Sequence, residues 1–61
     1  MFKIGEQVTY DDGFKKEHGY VKSIPNECHC FVVYHWDGES GDYKDYPSAL
    51  TGNKFLTHGW L

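Results

Sequence analysis

Cys28, His29 and Cys30 are consecutive and His35 follows shortly after. Two thiolates with imidazoles are a donor set that zinc accepts. The spacing works against a shared metal. On a regular strand, residues two apart lie about 6.6 Å from each other and point to one face, while the residue between them points to the other. His29 would then face away from both sulfurs. Paired zinc-finger cysteines have two to four residues between them, where this chain has only His29. A disulfide would require the strand to bend, and a reducing compartment does not favour one. The pair therefore reads as reduced thiols, and no metal or cofactor is expected. Cys28 beside His29 is the candidate thiolate–imidazolium pair, but strand neighbours face opposite ways. His18, His29, His35 and His58 fall into no catalytic pattern with serine or cysteine. A shallow fold also offers no water-excluded cleft. Catalysis is not expected.

Binding chemistry is better represented. The 61 residues include 5 tyrosines, 2 tryptophans and 4 phenylalanines, more rings than a thin core can bury. Some tyrosines will simply occupy half-buried strand positions; a surplus at the surface is the usual sign of a contact patch. Trp36, Tyr43 and Tyr46 flank one turn, with Tyr34 just before it, and Asp37, Glu39, Asp42 and Asp45 crowd the same stretch. An EF-hand would need other ligand spacing and a terminal glutamate, so calcium is not indicated. Aromatic faces beside carboxylates attract cations such as a methylated lysine, an arginine-rich peptide or a basic protein surface. The candidate binding residues are therefore Tyr34, Trp36, Asp37, Tyr43, Asp45 and Tyr46. On a regular strand Tyr43 and Tyr46 point oppositely, and they share a patch only if a bulge intervenes.

Composition narrows the partners. The formal net charge is −3, and Lys15-Lys16, the only basic pair, runs straight into Glu17. Duplex nucleic-acid binding draws on a basic stripe, which is missing here, so nucleic acid is disfavoured as a partner; stacking of a single strand on aromatic rings needs less charge. No run approaches the ~20 apolar residues of a membrane span. Met1 to Glu6 carries neither the apolar run nor the cleavage site of a signal peptide. A cytoplasmic protein with no membrane partner is expected.

The elements that must position these side chains read as strands. Nowhere do apolar residues recur at helical spacing over a dozen positions. Instead short β-prone runs are separated by glycine, proline and Asp/Asn clusters. The first is Gln7–Tyr10, entered through Gly5 and left through Asp11-Asp12-Gly13, and a charged loop is expected over Gly13–His18. The second is Gly19–Ile24, stopped by a hairpin turn at Pro25-Asn26-Glu27. The third is Cys28–Trp36, whose Phe31-Val32-Val33-Tyr34 is apolar without alternation, as in a strand covered on both faces. Asp37-Gly38 marks a reversal, with Ser40-Gly41-Asp42 lengthening it. A fourth run spans Tyr43–Tyr46 and ends at Pro47; Thr51-Gly52-Asn53 opens one helical turn through Lys54-Phe55-Leu56. Gly59-Trp60-Leu61 would be the closing strand. Strands at this spacing imply a sandwich or a barrel. The chain is too short for a sandwich, which leaves one all-β barrel domain over residues 1–61.

The glycine-led Ile4-Gly5-Glu6-Gln7-Val8, the Gly-Tyr-Val-Lys-Ser-Ile run, the long aromatic third strand and the terminal Gly-Trp give an order of elements that resembles SH3-like small barrels of the Tudor and KOW kinds. The stretch from Val32 to Trp60 also resembles short proteins of bacteria and their phages. The likeness covers nearly the whole chain, but its motifs are architectural, and the basic strand of a KOW motif is absent. It implies an SH3-like barrel of about five short antiparallel strands, with a single helical turn before the last. It also implies a habit of binding, with no catalytic residue to carry over. The function expected is a non-catalytic module that engages a protein with a basic or cationic surface. A phage origin would make that partner a host defence or regulatory protein. Two other classes stand beside it: an oligomer, a homodimer for instance, with a small-ligand or nucleotide site between subunits, and a single-strand nucleic-acid binder.

Overall fold

The computed structural model describes residues 1–34 and 41–61. These residues form five strands: β1 (Gln7–Asp11), β2 (Lys16–Asn26), β3 (His29–Tyr34), β4 (Ala49–Gly52) and β5 (Leu56–His58). Two single 3-10 turns, Tyr43–Asp45 and Asn53–Phe55, precede β4 and β5. All pairings are antiparallel and the sheet order is β4-β3-β2-β1-β5, so the first strand lies between the second and the last. The all-β expectation holds. The sheet is not closed: β4 and β5 are its two edges.

Alternation along the strands gives the sheet two faces. Val8, Val21, Cys30, Val32 and Leu56 form the core on one of them, with Phe2, Tyr10 and Tyr34 packed against the cluster. Val32 and Val33 are both fully buried, so β3, an interior strand, is covered on both sides, as its unbroken apolar run implied. On the second face, residues beyond β5 fold back over β1. The Thr9 hydroxyl donates to the Gly59 carbonyl (2.7 Å) and accepts from the Leu61 amide (3.1 Å). The Trp60 indole donates to the Gly19 carbonyl (3.1 Å), and its ring stacks on His18 with centroids 4.8 Å apart.

Several boundaries differ from those expected. Half of the charged segment Gly13–His18 is strand, because β2 begins at Lys16 and pairs with β1 from Asp11↔Lys16 to Gln7↔Tyr20. The turn is confined to what Asp12 can hold: its Oδ1 accepts from the Phe14 and Lys15 amides (2.8 and 2.9 Å). At the other end β2 runs through Pro25 to Asn26. Register shifts between Val21 and Ser23 and between Ser23 and Asn26 release Pro25 from the hydrogen-bond ladder it cannot join. The reversal falls at Glu27-Cys28, where the Asn26 side chain accepts from the Cys28 amide (2.9 Å). Cys28 therefore sits exposed in a turn while Cys30 is buried, and the two do not share a strand face.

The fourth strand is Ala49–Gly52, not Tyr43–Tyr46. The latter segment forms a 3-10 turn because Asp42 caps it, accepting from the Lys44 amide (3.0 Å). The expected helical turn is present as Asn53–Phe55, but Leu56 already belongs to β5. The last strand is Leu56–His58 rather than Gly59–Leu61, since Gly59 takes a positive φ of 81° and turns the chain off the ladder.

Candidate functional site

The sheet curls so that Tyr10 of β1, Tyr34 of β3 and Phe55 of the second 3-10 turn converge on the core side. Tyr34 meets Tyr10 edge-on (6.0 Å, 79°), and Phe55 lies tilted against Tyr10 (5.8 Å, 49°). Together with Lys15, Glu17, Ala49, Leu50, Thr51 and Gly52 they line an open cavity of about 310 Å³. Register explains the assembly. Tyr10 pairs with Glu17 across β1–β2, and alternation places both on the same face.

The rings are anchored by hydrogen bonds. The Tyr10 hydroxyl donates to Asp12 Oδ2 (2.8 Å). This bond is the main cause that lifts the Tyr10 phenol above its ordinary pKa, aided by burial and by the Asp12 charge. Asp12 is held correspondingly low, first by the amides of Lys15 and Phe14 and then by Tyr10. The Tyr34 and Thr51 hydroxyls lie 2.9 Å apart. The Thr51 hydroxyl also lies within donating distance of the Ala49 carbonyl (3.2 Å). Burial pushes the Tyr34 phenol up, partly offset by the Thr51 bond, and the Glu17 charge pushes the same way as burial.

A cation already lies at this site. Lys15 Nζ is 5.9 Å from the Tyr10 ring centroid and 4.0 Å from Glu17 Oε2. Lys54 Nζ lies over the Phe55 ring at 5.0 Å. The cavity walls therefore suit ammonium groups, through ring faces and one carboxylate.

The residues singled out from the sequence are distributed differently. Trp36 and Asp37 lie outside the described residues, as do His35 and Glu39. Tyr34 is in the cavity. Tyr43 belongs to the first 3-10 turn and stacks on Tyr20 of β2 (6.2 Å, 18°). Tyr20 neighbours Val21 in β2 and so faces the side opposite the core. Tyr46 ends the same turn, and its carbonyl accepts from Lys22 Nζ (3.0 Å). Asp45 is exposed, and its amide donates to the Asp42 carbonyl (2.9 Å). Tyr43, Asp45 and Tyr46 thus share one segment on one face of the sheet and Tyr34 serves the other.

Tyr10, Phe55 and Glu17 were missed as candidates. The signal for Tyr10 was its alternation with Val8; Glu17 was hidden by assignment to a loop, and Phe55 by its distance in the chain.

Cys28 and His29 line a second open cavity of about 400 Å³ with Glu27, Gly52, Asn53 and Lys54. Cys30 points inward, its thiol donating to Asn53 Oδ1 (3.2 Å) and its pKa raised by burial. Among the described residues no group of three His, Cys, Asp or Glu side chains is arranged to hold a metal ion. His29 lies 3.0 Å from the Asn26 side chain, His18 stacks on Trp60, and His58 stacks on Phe2 and bonds Glu6. Among the described residues no helix is long and apolar enough to cross a membrane. Compared with protein-family models, curated proteins and solved structures, the chain matches none.

Proposed function

We propose that this chain is a non-catalytic protein-binding module whose core-side cavity receives a cationic side chain from its partner. The observation that carries the reading is the position of Lys15, whose ammonium rests between the Tyr10 ring and the Glu17 carboxylate. A site that accommodates one ammonium group in this way has the shape and field for another in its place, once Lys15 swings out. Tyr10, Tyr34 and Phe55 supply ring faces, Glu17 the countercharge, and the Asp12 hydrogen bond enriches the Tyr10 ring. The ligand class is a lysine, methylated lysine or arginine presented by a basic protein surface, with neighbouring carboxylates steering the approach. The strand order supports an SH3-like kinship for the scaffold, with β1 between β2 and β5.

The test is titration of the ¹⁵N-labelled chain with short lysine- and arginine-rich peptides, methylated and unmethylated, followed by NMR. Shifts centred on Tyr10, Glu17, Tyr34 and Phe55 that disappear in Phe55→Ala support the reading. Shifts confined to the opposite face, or no shifts with any basic peptide, refute it. A second reading has one specific observation behind it. His18, Trp60, Tyr20 and Tyr43 form a continuous run of ring contacts, with centroids 4.8, 5.2 and 6.2 Å apart, on the opposite face. Such a run suits stacked bases. Salt-sensitive binding of oligothymidylate that quenches tryptophan fluorescence would favour it.

A further inference from the structure

Phe14 stands at the tip of the β1–β2 turn and is 97% exposed. The turn beneath it is fixed. Asp12 Oδ1 accepts from the Phe14 and Lys15 amides, Asp12 Oδ2 accepts from the Tyr10 hydroxyl, and Asp11 Oδ1 accepts from the Gly13 amide (2.9 Å). A ring carried on ordered backbone has already lost much of the freedom that docking would otherwise remove. The next residue, Lys15, lines the aromatic cavity, and Leu50, 57% exposed, lines it from the edge strand β4. A rigid apolar knob and an aromatic-walled hole therefore lie side by side.

We propose that this face pairs with a second copy of the chain about a two-fold axis, Phe14 of each copy entering the Tyr10–Tyr34–Phe55 cavity of the other. The cavity's 310 Å³ is about twice the volume that admits a benzene ring, and its walls offer the edge and tilted contacts that aromatic rings prefer. Knob and hole adjoin at Phe14 and Lys15, so a two-fold arrangement that seats one Phe14 seats the other as well and closes the assembly as a dimer. The charges are self-complementary. Lys15 and Glu17, 4.0 Å apart within one copy, stand at the rim, where each can pair with its opposite number across the axis. The proposal uses the cavity assigned above but does not depend on its cationic ligand. It adds a regulation, because a second copy and a basic partner would compete for the same space.

The test is sedimentation equilibrium of the full chain up to about 1 mM, since an interface built on one ring and one ion pair from each copy belongs to the weak class. The wild type is compared with Phe14→Ser, whose side chain makes no contribution to the core. The expected result is a monomer–dimer equilibrium. Phe14→Ser should weaken it about a hundredfold, roughly tenfold for each of two equivalent anchors. Intermolecular NOEs from the Phe14 ring to Tyr34 and Phe55 should accompany the dimer. A wild type that stays monomeric throughout, a dimer indifferent to Phe14→Ser, or open-ended association would each overturn the proposal. Basic-peptide titration of Phe14→Ser separates the two readings: binding there, with no dimer in the wild type, leaves the cation site standing and removes only the dimer.

Discussion

Gly19 is where this small fold has least room, and replacing it by alanine tests the packing that shapes the cavity. Gly19 is buried in β2, opposite Val8 on one side and Tyr34 on the other. A Cβ there would stand 2.6 Å from Val32 Cγ1, 3.0 Å from the Val33 carbonyl oxygen and 3.1 Å from Tyr34 Cδ1. One of these is backbone and another belongs to a fully buried valine, so neither can yield cheaply. Overpacking of this kind costs about 1–3 kcal/mol. Alanine recovers about 0.4–1 kcal/mol by restricting the unfolded chain. With both taken near the middle of their ranges, the net expectation is a loss of about 1–2 kcal/mol. For a domain of 61 residues, this lowers the melting temperature by roughly 5–15 °C, at ~4–8 °C per kcal/mol. Urea unfolding followed by far-UV circular dichroism should show a lower midpoint with an unchanged slope. The Tyr34 ring resonances should shift as well. A Gly19→Ala protein as stable as the wild type would refute this account of how β2 and β3 approach.

Two further expectations concern titratable groups. Native protein treated with iodoacetamide should gain one carbamidomethyl group quickly, at exposed Cys28, while buried Cys30 reacts only as the chain unfolds; equal rates by mass spectrometry would contradict the assigned burial. Glu6 is held below the ordinary carboxylate value, first by its hydrogen bond to His58. Its stabilising contribution is therefore present above the unfolded-state pKa of about 4.3 and is lost as pH falls through the lower folded value. The stability gap between wild type and Glu6→Gln, measured in urea, should be open near about pH 5.5 and shrink towards about pH 3; a gap independent of pH would remove the pairing from the account.

Much of the β-architecture could be read from short-range signals. Val8 and Tyr10 alternate with polar neighbours, and the unbroken apolar stretch Phe31–Tyr34 announced a strand covered on both faces, as Val32 and Val33 confirm. Asn53–Phe55 forms its helical turn where the residues suggested. What escaped reading depends on partners distant in the chain. Lys16, Glu17 and His18 look like loop residues, yet they extend β2 because β1 lies alongside to pair with them. Ala49–Gly52 has little strand propensity and is placed by its ladder with β3. Tyr43–Tyr46 has strand composition but turns under the local competition of Asp42. The cavity shares this character. Tyr10, Tyr34 and Phe55 are spread along the chain and meet only because the sheet curls, so composition signalled an aromatic surface without locating it.

Lys15 decides between two pictures of that surface, because its removal has opposite signs in them. Its ammonium is well exposed, with 62% of the side chain accessible. The Glu17 pair at 4.0 Å is then worth about 0–1 kcal/mol and the contact with Tyr10 about 0.5–1 kcal/mol. A cationic side chain entering the cavity must displace this ammonium and endure its repulsion until it leaves. Lys15→Ala should accordingly tighten binding of a lysine- or arginine-rich peptide, by up to about tenfold for some 1.4 kcal/mol. Were Lys15 instead a docking contact for an acidic ligand, the same substitution would weaken binding. In the proposed dimer Lys15 would face the Glu17 of the other copy, so Lys15→Ala should weaken self-association. Lys15→Ala should thus strengthen peptide binding and loosen the dimer together, because Lys15 opposes the one and supports the other. Isothermal titration and sedimentation on the same protein would measure both. Competition itself is read directly: basic peptide added to the wild-type dimer should dissociate it, and a dimer indifferent to bound peptide would show that the two do not share the site.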